Sequence, residues 1–137
     1  MSSEKWVEKG VLAIAIESYQ DLKVWQVAMA LAVDVYTVSK FFPRDELFGL
    51  TSQVRRSSVS IAANIAEGYG RESRGSFVQF LRISQGSLKE TETHLLLAER
   101  VGLVKRKQIA GALEKADELG RMLRSLIRTV QRKAAND

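Results

Sequence analysis

The sequence predicts an all-α protein that folds as an antiparallel up-down four-helix bundle. Long stretches carry apolar residues at steps of three and four, which is the period of an amphipathic helix, and alternating β-branched runs are few. The chain has one proline and no cysteine, which excludes disulfides and thiolate metal sites. Its 137 residues suffice for one domain with a buried core.

Residues 1–18 form an N-terminal arm with three possible structures. The apolar run at residues 10–17 is shorter than the roughly 18 residues that span a membrane. Its flanks also lack the features of a signal peptide. A short helix against the bundle, a strand-like arm onto a neighbouring molecule and an extension of the first helix all remain open. We expect an ordered arm or helix, because exposing such a run to water is unfavourable.

Residues 19–133 comprise the bundle, and residues 134–137 a tail. Asp21 is the predicted N-cap of the first helix. This helix has two apolar stripes, so we expect it to be central or to form a subunit contact as well. One stripe contains Leu22, Trp25, Met29, Ala32, Tyr36 and Ser39, and the other contains Val24, Val27, Leu31, Val35 and Val38.

The second helix is predicted to begin at Pro43 or Asp45 and to end near Gly68. Beside its apolar stripe lies a polar one at the same spacing, formed by Gln53, Arg56, Ser60, Asn64 and Glu67. These residues either line a ligand groove or form a structural hydrogen-bonded network that fixes the register between helices or subunits. We favour the network, in which a buried Arg56 needs a partner such as Glu67 or a carboxylate on another helix.

The third helix follows a turn in which glycines, beginning with Gly68, are expected to break the chain's helical path. Ser73 or Ser76 is its predicted cap, and Gly102 is its predicted end. The predicted inward seam of this helix consists of Phe77, Leu81, Ser84, Leu88, Thr91, Leu95 and Ala98.

The fourth helix is predicted over residues 105–133. Its inward seam is Ile109, Leu113, Ala116, Gly120, Leu123, Ile127 and Val130. Residues 105–137 contain nine Lys or Arg and four Asp or Glu, which accounts for a charge of +5, equal to that of the whole chain. The acids lie mainly in the helix's first half, and the second half presents Arg121, Arg124, Arg128, Arg132 and Lys133. These five residues are the candidate nucleic-acid-binding set. An ordinary solvated face, favoured by the helix dipole, is the alternative interpretation.

The sequence favours a protein without catalytic residues, cofactor or metal. His94 is the single histidine, and we interpret it as a surface or interface residue because no nucleophile is evident near it. Glu90 and the other nearby acids do not form a di-iron motif. The glycine-containing turn after residue 67 lacks the lysine of a phosphate loop, although Arg71 and Arg74 give a weaker candidate for holding a phosphate.

Three motifs in order make the chain resemble a bacterial protein family. They are residues 19–26 (YQDLKVWQ), residues 50–57 (LTSQVRRS) through 64–68 (NIAEG), and residues 80–90 (FLRISQGSLKE). Together they resemble the four-helix-bundle family named after intervening sequences in 23S ribosomal RNA genes. The resemblance covers about residues 19–126, so residues 1–18 lie outside it.

This resemblance implies a cytoplasmic bundle that assembles into a ring-like homo-oligomer, typically a homopentamer. Relatives include the accessory variability proteins of diversity-generating retroelements, which are similar in fold and bind nucleic acid and a reverse transcriptase. The implied partners are therefore the chain itself, RNA or DNA, and a reverse transcriptase, with no membrane. Two functions follow: a non-enzymatic nucleic-acid-binding accessory or ribonucleoprotein factor, or a protein-interaction scaffold whose basic surface is incidental.

Overall fold

Four long helices form the protein in a computed structural model that describes residues 16–136, with side chains up to residue 132. They are α1 (Lys23–Ser39), α2 (Leu50–Gly70), α3 (Arg74–Arg100) and α4 (Arg106–Asn136). Each helix packs against the helix before it, and α4 packs against α1, which closes the square. The short connections make neighbouring helices antiparallel, so the chain follows the predicted up-down path. No strand occurs in the described residues.

The chain enters the bundle through a short 3-10 helix, Tyr19–Asp21, rather than directly into α1. The Ser18 side chain accepts from the backbone N–H of Gln20, and the Asp21 carboxylate accepts from the N–H of Ser18 at 3.1 Å. Asp21 therefore caps the preceding turn, and the prediction that it is the N-cap of α1 is wrong. That position belongs to Leu22, which has no capping side chain. Residues 1–15 of the predicted arm lie outside the described residues.

The second helix begins later than predicted because a 3-10 helix, Arg44–Glu46, follows Pro43. The Glu46 carboxylate then accepts a hydrogen bond from the backbone N–H of Leu50 at 3.1 Å. This contact satisfies one of the amides left unpaired at the start of α2.

The turn between α2 and α3 differs from the prediction in its glycines. Gly68 is helical and buried, and α2 continues to Gly70. The left-handed residue of the turn is Glu72, with φ of 61°. Gly68 serves close packing instead, since a Cβ there would lie 2.5 Å from the Cβ of Phe80. Ser73 caps α3 as expected, and its hydroxyl accepts from the N–H of Ser76 at 3.1 Å.

The predicted seams form the core. All seven residues of the α3 seam are buried, and in the α4 seam only Leu113 is partly exposed. In α1 the stripe containing Leu31 and Val35 faces the core, whereas Met29 and Tyr36 of the other stripe are each 42% exposed. The first helix therefore keeps an apolar surface outside the bundle.

Hydroxyl groups connect the middle of α2 to α3. Ser57 Oγ lies 2.8 Å from Thr91 Oγ1, and Ser60 Oγ lies 2.9 Å from Ser87 Oγ. Further along, the Ser84 hydroxyl donates to the carbonyl oxygen of Ile61 at 2.9 Å. Small residues let the helix backbones approach, and these bonds satisfy the polar groups that the approach buries.

The fourth helix extends past its predicted end at residue 133 to Asn136, so the first three residues of the predicted tail continue the helix. The third helix ends as predicted, with Gly102 at φ of 85° two residues beyond it. No helix within residues 16–136 is long and apolar enough to cross a membrane.

Candidate nucleic-acid interface

The predicted arginine face lies on the outer surface of α4. Arg121, Arg124, Arg128 and Arg132 are all exposed, and they follow one another at steps of three or four residues. Such steps place side chains on one side of a helix, one above another. Lys133, the fifth predicted residue, belongs to α4, but its side chain lies outside the described part.

Carboxylates neutralise the first half of α4. Arg106 Nη2 lies 2.8 Å from Glu99 Oε1, and Lys115 Nζ lies 2.7 Å from Asp34 Oδ2. The hydrogen bond that Arg106 donates to the Glu99 carboxylate, followed by the negative charge of Glu99, raises the pKa of the Arg106 guanidinium. These contacts bind α4 to its two neighbours.

The second half of α4 lacks such compensation. Arg121 pairs with Asp117, one turn earlier on the same helix. Among residues with described side chains, no carboxylate lies within 4.0 Å of the Arg124 or Arg128 guanidinium. Within the side chains described up to residue 132, Arg132 Nη2 has the Thr129 hydroxyl oxygen as its hydrogen-bond acceptor, at 3.5 Å. This region therefore keeps its positive charge and is the part of the face suited to phosphate groups.

A groove between α3 and α4 adds residues that the sequence analysis missed. Its volume is about 390 Å³, and its walls include Arg82 and Lys89 of α3 together with Arg124 of α4. Lys89 pairs with Glu92 at 3.0 Å, whereas Arg82 is exposed and has no carboxylate partner among the described side chains. Arg82 and Lys89 are seven residues apart and outside the α3 seam, a spacing that marks a shared outer face.

The predicted polar network of α2 is only partly assembled. Asn64 Nδ2 donates to Ser60 Oγ at 2.9 Å, and Ser60 in turn contacts Ser87 of α3. Arg56 is exposed and donates to Ser52 Oγ at 3.3 Å, so the expectation of a buried Arg56 paired with Glu67 or with a carboxylate on another helix is wrong. Arg56 and Glu67 lie three turns apart, too far for contact.

The outer members of that stripe have other surroundings. The Glu67 carboxylate accepts from Arg71 Nη2 at 2.9 Å, and the Arg71 guanidinium lies over the Phe80 ring, 5.1 Å from its centroid. Arg71, one of the two arginines of the weaker phosphate-binding candidate, is therefore already in contact with Glu67 and Phe80. Gln53 is exposed on the same side of α2.

His94 is buried between α2 and α3. Its Nδ1 lies 3.5 Å from Ser57 Oγ. The Ser57 hydroxyl is also within hydrogen-bond distance of the Val54 carbonyl oxygen and of Thr91 Oγ1. Of the two predicted placements, a surface position is therefore wrong, and His94 lies at the contact between two helices of the bundle. Across residues 16–136, no three histidine, aspartate or glutamate side chains are grouped as metal ligands.

Comparisons with known proteins identify relatives of this bundle. The family model described as 23S rRNA-intervening sequence protein matches residues 20–125. A crystal structure of a protein with unknown function from the S23 ribosomal protein family of Bacteroides thetaiotaomicron is 30% identical, with a TM-score of 0.70. The alignment covers 76% of this chain and 97% of that one. No curated protein gives a match. The chain belongs to the family of 23S rRNA-intervening sequence proteins.

Proposed function

We propose that this protein is a non-enzymatic, oligomeric, nucleic-acid-binding accessory or ribonucleoprotein factor of the cytoplasm. The observation that supports it is the uncompensated arginine face in the second half of α4, where Arg124 and Arg128 lack carboxylate partners among the described side chains. Arginine binds phosphate oxygens through two parallel N–H donors, which makes such a face a phosphate-binding surface.

The outer surface of α1 supports the proposed oligomerisation. Met29, Val33 and Tyr36 lie at steps of four and three and are 42%, 61% and 42% exposed. The Arg55 guanidinium of α2 lies over the Tyr36 ring, 4.7 Å from its centroid, and Val59 follows one turn later on that face of α2. Covering this apolar surface with a second copy removes it from water. The family resemblance suggests a ring of five copies, in which the basic face is repeated.

The absence of catalysis is part of the proposal. Ser57 and His94 are the one nucleophile–base pairing that the described contacts suggest. Both side chains are buried between α2 and α3, and the Ser57 hydroxyl is engaged with Thr91 and the Val54 carbonyl oxygen. The contacts of the Ser57 hydroxyl with neighbouring groups of α2 and α3 support a structural role for the pair.

Binding to fluorescent RNA and DNA oligonucleotides, followed by anisotropy, tests the proposal. We expect the double variant Arg124→Glu/Arg128→Glu to weaken binding by at least about 100-fold, because two contacts become repulsive. Lys105→Glu/Lys107→Glu is the matched control, with the same charge change at the other end of α4. No binding by the native protein at low salt would refute the function, as would equal affinities for both variants.

A protein-interaction scaffold is the second candidate, and the opposite end of the bundle favours it. Phe48 is 94% exposed and Phe41 is 63% exposed, both in the connection between α1 and α2. By resemblance, a reverse transcriptase is the proposed protein partner. Affinity purification from cells with and without nuclease separates the two functions. A partner retained after nuclease supports the scaffold, and one released by nuclease supports nucleic-acid binding.

A further inference from the structure

The groove between α3 and α4 has an open floor. Gly86 and Gly120 line it together with the side of Leu88. A Cβ on Gly86 would meet nothing within 4 Å, and one on Gly120 would lie 3.6 Å from Leu88 and 3.8 Å from the Arg124 guanidinium. An extended chain can therefore approach the helix surface along this line without meeting a side chain at Gly86.

Both walls of the groove carry positive charge. Arg82 and Lys89 line it from α3 and Arg124 lines it from α4, together with the side chain of Gln85. Arg128 continues the same face one turn beyond Arg124, a rise of about 6 Å. Each strand of a double helix carries one phosphate per about 3.4 Å of its axis, so one turn of α4 spans about two phosphates.

Aromatic rings are missing from this surface. Residues 106–136, which form α4, contain no Phe, Tyr or Trp. In α3, Phe77 is buried and Phe80 lies under the Arg71 guanidinium on the side towards α2. Proteins that hold single strands generally stack the bases on exposed aromatic rings. The residues that line the groove offer charged and amide donors but no aromatic ring.

We propose that the α3–α4 groove binds the phosphodiester backbone of a nucleic-acid double helix, with Arg82 of α3 as a binding residue beside the arginines of α4. This inference rests on the proposed function and specifies its ligand. The arginines contact phosphates, while the bases remain paired and make no contact that identifies their sequence. Binding is therefore independent of base sequence, because phosphate contacts position a duplex without identifying it.

Two glycine variants test the location. Gly86→Glu places a carboxylate in the groove, and Gly111→Glu places the same charge on the exposed surface of α4 near its other end. Neither added Cβ meets another atom within 4 Å, and both replacements favour helix. We expect Gly86→Glu to weaken duplex binding at least about five-fold and Gly111→Glu to change it less than about two-fold. Arg82→Ala should also weaken duplex binding.

The ligand arms use a 20-base-pair DNA duplex, the RNA duplex of the same sequence, a second DNA duplex of unrelated sequence, and an unstructured thymidine single strand. We expect both DNA duplexes to bind equally within about two-fold, and the single strand at least about ten-fold more weakly. The affinities for the DNA duplex and for the RNA duplex of the same sequence show which of the two backbones the groove binds more tightly.

The outcomes separate this inference from the proposed function. A single strand that binds as tightly as the duplexes, or equal effects of the two glycine variants, overturns the groove and leaves nucleic-acid binding intact. Binding that depends on duplex sequence also overturns it. No binding of any oligonucleotide at low salt refutes the proposed function, and this inference falls with it.

Discussion

A Cβ added to Gly68 in α2 would lie 2.5 Å from the Cβ of Phe80 in α3, and 3.2 Å from Cδ1 of Phe77. The two helices are therefore in near-backbone contact at the end of α2. This contact, rather than a left-handed turn, requires the glycine that ends the NIAEG motif. Because the Phe80 Cβ is fixed to its backbone, a side chain at residue 68 must displace a whole helix.

We expect Gly68→Ala to lower the free energy of unfolding by about 3 kcal/mol, despite the higher helix propensity of alanine. Gly70→Ala is the matched control, since it lies in the same helix and its Cβ meets nothing within 4 Å. It should be neutral or slightly stabilising. Urea denaturation followed by circular dichroism measures both, and equal stabilities of the two variants would contradict the close contact.

The buried hydroxyls of Ser57 and Thr91, 2.8 Å apart, should be energetically coupled. A double-mutant cycle with Ser57→Ala and Thr91→Val should give a coupling energy of about 1 kcal/mol. Thr91 also donates to the Ser87 carbonyl oxygen, so its single variant should cost more than the coupling alone. Additive single effects would show that the hydroxyl contact contributes nothing to stability.

The ion pair between Lys115 of α4 and Asp34 of α1 predicts a pH-dependent contribution. The hydrogen bond that Lys115 donates to Asp34, followed by the negative charge of Asp34, raises the pKa of the Lys115 ammonium. The folded-state pKa lies above the unfolded value of about 10.4, so the stabilisation is complete below that pH and disappears as pH rises through the folded value.

We expect Lys115→Met to lower the free energy of unfolding by roughly 0.5 kcal/mol at neutral pH, since the pair is partly exposed. The difference from the native protein should shrink above about pH 10.4. Lys107→Met, at an exposed lysine of the same helix, is the control. A difference that is constant across this pH range would argue against the ion pair as its cause.

The exposed apolar stripe of α1 predicts self-association. Val33→Lys introduces a charge at its centre, where the native side chain is 61% exposed, so the isolated bundle should retain its stability. Light scattering at micromolar concentration should show an oligomer for the native protein and a smaller species for the variant. Thr93→Lys, at an exposed position of α3, is the control. A native monomer would refute oligomerisation, and an unaffected variant would refute this contact surface.

Helical periodicity predicted most of the fold because burial in a bundle follows the same period. The α3 seam from Phe77 to Ala98 is buried as expected. Periodicity did not distinguish the two stripes of α1, since each is apolar and only packing against α2 and α4 decides which faces inward. It also placed Asp21 and Gly68 wrongly. A capping aspartate and a helical glycine depend on contacts with neighbouring backbone that local spacing does not encode.

The candidate site was predicted on α4 but not across the groove. Arg124 and Arg128 belong to a stripe of arginines with few nearby acids, which can be recognised from the sequence alone. Arg82 lies more than 40 residues earlier, and its position beside Arg124 follows from the antiparallel packing of α3 on α4. The pairing of Arg56 with Glu67 was also predicted from residue type, whereas their separation along α2 prevents it.

The salt dependence of nucleic-acid affinity tests the central claim most directly. The observed association constant of the native protein for a duplex should be measured between about 50 and 200 mM salt. About four phosphate contacts per protomer predict a slope of log K against log salt concentration steeper than about −3, and the slope should become shallower in Arg124→Glu/Arg128→Glu. A slope near zero, or a native slope unchanged in the double variant, would contradict phosphate binding by the arginine face of α4.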